Sequence, residues 1–276
     1  MKHRLTALVA AFLFMFVLAM PVATAELEVF AGSASKPATE ELVALFEAET
    51  GHRVELFFGS SGRLLSQMKI ARRGDIYFPG SPDYMERAKR DGLIAGETEK
   101  IVAYLIPAIN VARGNPKGVK GLEDLARPDV RAAIANPRHV CVGLYAVEAL
   151  ESASLGAEVR PRIMGYTESC AKTANMIALG AADAVLGWRV FESWNPGRIQ
   201  SVLLPTQALP RIGYIPVAVT TLSKNVGPAK RFIEFACSEK GRRIFEKWGY
   251  ITREEDARLL APAAKIGGEY ALPEGW

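Results

Sequence analysis

The chain has 276 residues, 49% of them hydrophobic, which is enough apolar mass for two modest cores. Its formal net charge is +4, and the first 25 residues hold Lys2 and Arg4 but no acid, so without them +4 becomes +2. A surplus that small argues against nucleic-acid or membrane-surface binding, and any preference for anions has to come from local geometry.

Residues 1–25 begin with Lys2, His3 and Arg4, continue in an apolar run over 8–20, and end in the small-x-small pattern Ala23-Thr24-Ala25. This is the pattern of a secretory signal peptide cleaved after Ala25, with the periplasm as destination. The run is short of the roughly 20 apolar residues a membrane span needs. No Cys follows the cleavage point, which argues against a bacterial lipid anchor.

Residues 29–37 (VFAGSASKP) come next. Val29-Phe30-Ala31 reads as a buried parallel strand, Gly32, Ser33 and Ser35 as a turn, and Pro37 as a helix start. A strand, a Gly/Ser turn and a helix start aim backbone N–H groups, hydroxyls and the positive end of a helix dipole at one spot, which suits an oxyanion. The pattern returns at residues 57–63 (FFGSSGR), and two such turns can grip one anion. Between them, 37–50 spaces Leu42, Leu45, Phe46 and Glu49 as a helix, closed by Gly51.

Strand 54–58, helix 63–71, strand 75–78 and a helix to Arg90, capped by Ser81 or Asp83, continue an alternation that implies βαβ units and a parallel sheet. Residues 101–111 read as one long strand. A middle block follows: short helix 122–128, strand 133–135, helices 142–150 and 169–179, strands 184–188 and 199–204. Strand 215–219 and helices 228–237 and 240–248 close the pattern. The long crossing strands near 101–111 and 212–219 read as hinges, joining 26–107 with 212–276 as one domain and leaving 108–211 as the second. Small-ligand sites favour the crevice between such domains.

Cys141, Cys170 and Cys237 are the three cysteines. An oxidising compartment allows one disulfide and one free thiol, and Cys141 with Cys170 is the favoured pair because both lie in the middle block. Three buried thiols fit the sequence as well. His52 and His139 are isolated, so no bound cation is expected, and no cofactor is implied. No G-x-S-x-G occurs and no acid/base pair has a defined spacing, so nothing positive marks an enzyme.

The runs VFAGSASKP, FFGSSGRL, NPRHVCVGLYAVEAL, YIPVAV and FEKWGY, in this order over about 26–250, resemble the periplasmic molybdate- and tungstate-binding proteins, the solute receptors of ABC importers. The resemblance implies a two-domain α/β type II periplasmic-binding fold, each domain a mainly parallel sheet flanked by helices, with the ligand cleft between them. It implies a monomer that hands its anion to an inner-membrane ABC permease. In that family neutral donors hold the oxyanion. The second-turn Ser falls on Ser61, beside Ser60, and the middle-domain backbone donor on Val142. The first-turn Ser falls on Ser33 in the AGSLS-type branch and on Ala34 in an ungapped match; Gly32, Ser35 and Pro37 follow the former branch. The family's Tyr position aligns near Val190, with Trp188 and Arg189 adjacent, and the other backbone donor near Lys172.

Arg189 or Lys172 in the cleft would add charge-assisted bonds and bring sulfate, phosphate or a small carboxylate or phosphorylated metabolite into range. Each candidate also has a plainer role. Ser33 and Ser61 suit helix N-caps, Arg189 an ion pair with Glu192 or Asp183, Lys172 a solvated helix face, and Trp188 the core. A secreted Ser-dependent hydrolase is the rival class, and it needs a base beside Ser33 or Ser61.

Overall fold

A computed structural model describes residues 24–276. The leader expected over 1–25 lies outside the described residues, apart from Thr24 and Ala25. The strands in chain order are β1 (Glu26–Gly32), β2 (Arg53–Gly59), β3 (Ile76–Phe78), β4 (Lys100–Leu105), β5 (Pro107–Ala112), β6 (Ala132–Ala135), β7 (Ile163–Thr167), β8 (Ala184–Trp188), β9 (Ile199–Leu203), β10 (Arg211–Val219) and β11 (Lys265–Ile266).

They form two sheets. The first has the order β11-β10-β3-β1-β2, with β4 also on β10, and the second has the order β7-β6-β8-β5-β9. In each, three parallel strands carry the βαβ repeats, β2-β1-β3 and β7-β6-β8. Antiparallel strands complete them: β10 on β3 and β4 on β10, then β5 on β8 and β9 on β5. This is the mixed α/β, two-sheet, helix-flanked architecture expected.

The helices follow from local chemistry. Lys36–Thr50 has Pro37 in its first turn, buries Ala38, Leu42, Val43 and Phe46, and stops at Gly51, whose φ of 71° is the left-handed value that glycine adopts freely. Strand β1 buries Leu27, Val29, Phe30 and Ala31 completely, because helices cover both faces of a parallel sheet.

Three features differ from the sequence reading. The single strand expected over 101–111 is two, β4 in the first sheet and β5 in the second, divided at Ile106. Pro107, the first residue of β5, has no N–H to give to a ladder, which favours a break there. Strand β7 and the helix Glu254–Leu260 were not anticipated. Finally, 212–276 does not pack as one unit. The helices Val226–Cys237 and Glu239–Lys247 bury Phe232, Ile233 and Phe245 in the core shared with the first sheet. Ala257, Ala261, Ala264 and Trp276 instead join the core of the second sheet. Trp276 holds the tail there, its indole N–H donating to Glu151 Oε1 at 2.7 Å. Apolar area decides this, since the tail's small residues fill a surface that the second sheet leaves open.

Candidate functional site

The parallel register aligns three strand ends. Gly32 lies opposite Gly59, and Ala31 opposite Phe78, so the chain leaves β1, β2 and β3 side by side. Each strand runs into a serine-bearing turn and a helix. Ser33–Ser35 leads into Lys36–Thr50, Ser60 into Ser61–Ala71, and Pro79-Gly80-Ser81 into Pro82–Arg90. The turns touch. A Cβ on Gly32 would stand 2.7 Å from Gly80 N and 3.0 Å from Ser61 Oγ, so only glycine fits there.

The serine hydroxyls are free to donate. Ser61 Oγ accepts from Gly80 N–H at 3.0 Å, and Ser33 Oγ accepts from Ala171 N–H at 3.4 Å. Neither gives its own proton to an acceptor among the described residues, so each O–H remains available. Ser60 and Ser81 are buried, and their hydroxyls have no partner among the described residues. Ser35 differs: it donates to Gly32 O and accepts from Thr39, so its bonding is internal. Two tyrosines brace the turns, Tyr77 donating to Ser61 O at 2.9 Å and Tyr250 to Ala34 O at 2.6 Å.

The second sheet presents two helix starts to these turns, Cys141–Ser152 and Cys170–Ala178. Val142 lies in the first turn of its helix, where backbone N–H groups have no intrahelical acceptor. A Cβ on Gly80 would come within 2.7 Å of both Ala34 Cβ and Cys141 Sγ, so the two sides are in contact at Gly80. Cys141 and Cys170 place their sulfurs 3.3 Å apart at this seam. Burial first, then the hydrogen bond with Cys170, pushes the Cys141 thiol far above its ordinary range.

Ser33, Ser60, Ser61 and Val142 thus lie on elements that meet. Lys172 does not join them: its side chain is exposed and its N–H is spent on the Ser169 cap at 3.2 Å. The amide that faces Ser33 belongs to Ala171, one residue earlier, because the Ser169 cap sets the phase of the helix start. Arg189 is half-buried and reaches Gly249 O at 3.4 Å. Its suggested acid partners are engaged elsewhere, Glu192 with Arg113 and Asp183 with Arg131. Val190, at the family's Tyr position, is buried and brings no hydroxyl. Trp188 is core, packed on Tyr145 with ring centroids 4.8 Å apart.

Sequence reasoning missed Ser81 and Tyr250 as parts of this seam. Ser81 carries a signal, a Gly-Ser-Pro turn after a strand, but the same turn also fits a plain helix cap. Tyr250 carried none, since its reach to Ala34 spans 216 positions.

Charge stands apart from the serine turns. At one rim Arg63 pairs with Glu168, and Glu168 meets His139 Nε2 at 2.9 Å. Burial raises the Glu168 carboxyl, but the His139 hydrogen bond and the charges of His139, Arg63 and Lys172 outweigh it and hold the group below its usual range. Beside this latch a groove of about 750 Å3 is lined by Arg63, Arg87, Arg90, Arg138 and His139. Among the described residues no cluster of three or more His, Cys, Asp or Glu could hold a metal ion.

Two α/β halves that face each other across serine turns and helix starts define a two-lobed receptor for a small solute. The model for bacterial extracellular solute-binding proteins matches residues 27–251, and the chain belongs to that family. It is 24% identical over 223 residues to the molybdate-binding protein ModA of Mycobacterium tuberculosis, covering 80% of this chain and 83% of that protein. The solved periplasmic molybdate-binding protein of Azotobacter vinelandii superposes with a TM-score of 0.73 at 20% identity, over 83% of this chain and all of that one. The sulfate-binding protein SubI of Mycobacterium tuberculosis gives 0.74 at 16% identity, over 88% of this chain and 94% of that one. At these identities the superpositions establish the fold, the type II periplasmic-binding fold.

Proposed function

We propose that this chain is a periplasmic receptor, monomeric and without enzymatic activity, that shuts its two lobes over a tetrahedral oxyanion and delivers it to an ABC permease in the inner membrane. Molybdate or tungstate is the ligand. The first lobe is built on 26–107 and the chain from 212 on, the second on 108–211 with Ala257, Ala261, Ala264 and Trp276 of the tail packed against it, and the two hinge where the chain crosses between the sheets. The observation that carries the reading is the set of serine hydroxyls, Ser33 and Ser61 with Ser60 beside them, at aligned strand ends facing the helix start at Val142.

A cradle of N–H and O–H groups donates and does not accept, which suits a fully ionised dianion and disfavours phosphate carrying a proton. Helix N-termini add partial positive charge without a counter-ion to desolvate. No Asp, Glu or His is hydrogen-bonded to Ser33, Ser60, Ser61 or Ser81 among the described residues, so a serine nucleophile would lack its base. Arg189 bears on the Gly249 turn, which favours a bracing role over ligand contact.

A thermal-denaturation panel with molybdate, tungstate, sulfate, phosphate and citrate tests the reading. Molybdate and tungstate should raise the midpoint most; a shift with sulfate or citrate alone would overturn the assignment. Ser61→Ala should weaken molybdate binding roughly tenfold in calorimetry, the loss of one buried donor, while leaving the protein folded. Unchanged affinity would remove Ser61 from the site.

A further inference from the structure

Cys141 and Cys170 are both enclosed, each 2% exposed, and each is the first residue of a helix aimed at the serine turns. Their sulfurs stand 3.3 Å apart. Cys237 is far from them, its thiol directed at Ile101 O at 3.8 Å. The chain belongs to an extracellular family, and thiol pairs outside the cytoplasm meet an oxidising environment. Covalent bonding would require the sulfurs to close from 3.3 Å to about 2.05 Å, a small movement of two side chains.

We propose that Cys141 and Cys170 form a disulfide in the floor of the cleft, and that this bond fixes the second lobe's two donor-bearing helix starts relative to each other. Val142 follows one cysteine directly, and Ala171, whose N–H meets Ser33, follows the other. Both cysteines belong to the second sheet's side of the seam, so the bond leaves lobe movement free. What it removes is independent fraying of the two helix starts, an ordering cost otherwise met when an anion binds.

The oxidant is a disulfide-bearing molecule such as glutathione disulfide. One cysteine, as thiolate, attacks a glutathione sulfur and releases one glutathione. The second cysteine, as thiolate, attacks the protein sulfur of the mixed disulfide and releases the other glutathione. The two cysteine protons end on the two released thiols. Because the pair is buried against Gly80 and Ala34 when the lobes meet, exchange takes place with the lobes apart.

The test uses the full secreted chain, once after glutathione disulfide and once after dithiothreitol, with thiols counted by alkylation in denaturant and peptides mapped by mass spectrometry. The oxidised protein should show one free thiol, at Cys237, and a Cys141–Cys170 linked peptide about 2 Da lighter than its reduced parts. Three free thiols after oxidation, or a link through Cys237, would overturn the pairing.

The effect on binding rests on the oxyanion reading and is measured separately, by calorimetry with molybdate. Oxidised protein should bind roughly tenfold tighter than reduced protein, and Cys141→Ser with Cys170→Ser should match the reduced form in both buffers. Equal affinities in the two states would remove the bond's role in the cleft. Should molybdate bind neither form while the thiol count falls to one, the oxyanion reading fails and the pairing stands.

Discussion

The lobes meet along two seams of opposite chemistry. One is built from small neutral groups: Gly32, Gly80, the serine hydroxyls, Ala34 and the two thiols. Elsewhere they are joined by a buried ionic triad. Arg211, at the start of β10, donates to Asp83 at 3.0 Å and to Glu148 at 2.8 Å, and its guanidinium lies 4.1 Å from the centre of the Tyr145 ring. Asp83 belongs to a helix of the first lobe and Glu148 to one of the second. A neutral seam can part without stranding charge, and water or an anion can satisfy what it exposes. Parting the triad would separate ions that are already desolvated, so it resists separation more than the neutral seam does.

The sharpest way to break this contrast is Arg211→Met. It strands the Asp83 carboxylate in a fully buried site, and urea denaturation should show a loss of about 3–5 kcal/mol. A loss under 1 kcal/mol would mean that the triad contributes little to joining the lobes. Gly80→Ala acts on the neutral seam. Its methyl would meet Ala34 and Cys141, so closure should cost about 1–3 kcal/mol, read as weaker molybdate binding with the folded state kept. Unaltered affinity would show that the bound form does not bring these surfaces together.

Glu168→Gln at the exposed latch should have the smallest effect, a few tenths of a kcal/mol. Its sign with pH is defined: the folded carboxyl sits below its ordinary value, so its contribution is present at neutral pH and is lost as pH falls through that lower value. The difference between wild type and variant in thermal midpoint should therefore shrink on acidification. A difference that grows on acidification would refute the assignment.

How much was legible depends on the range of the signal. The strand, turn and helix start at Val29 and again at Phe57 were readable because three neighbouring residue types announce each of them. Family membership was readable because ordered motifs span the chain. Near Lys172, the N–H that reaches Ser33 is that of Ala171, which no local pattern announces, since the phase of a helix start depends on which side chain caps it, and Ser169 does. The β4–β5 break carried one local signal, Pro107, but the apolar residues on both sides of it read alike because the two strands differ chiefly in the sheet they join. Ala257, Ala261 and Ala264 keep helical spacing in the tail, but nothing local says which of the two cores that face joins.

By itself, the sequence determined the alternation of strands and helices and the serine turns, all set by residues within a few positions of one another. Only the tertiary structure decided that Gly80 meets Ser61, that Cys141 meets Cys170, that Tyr250 braces Ala34, and that Arg211 joins two acids from opposite lobes. Those pairings depend on sheet order and register, which arise from burial summed over the whole chain.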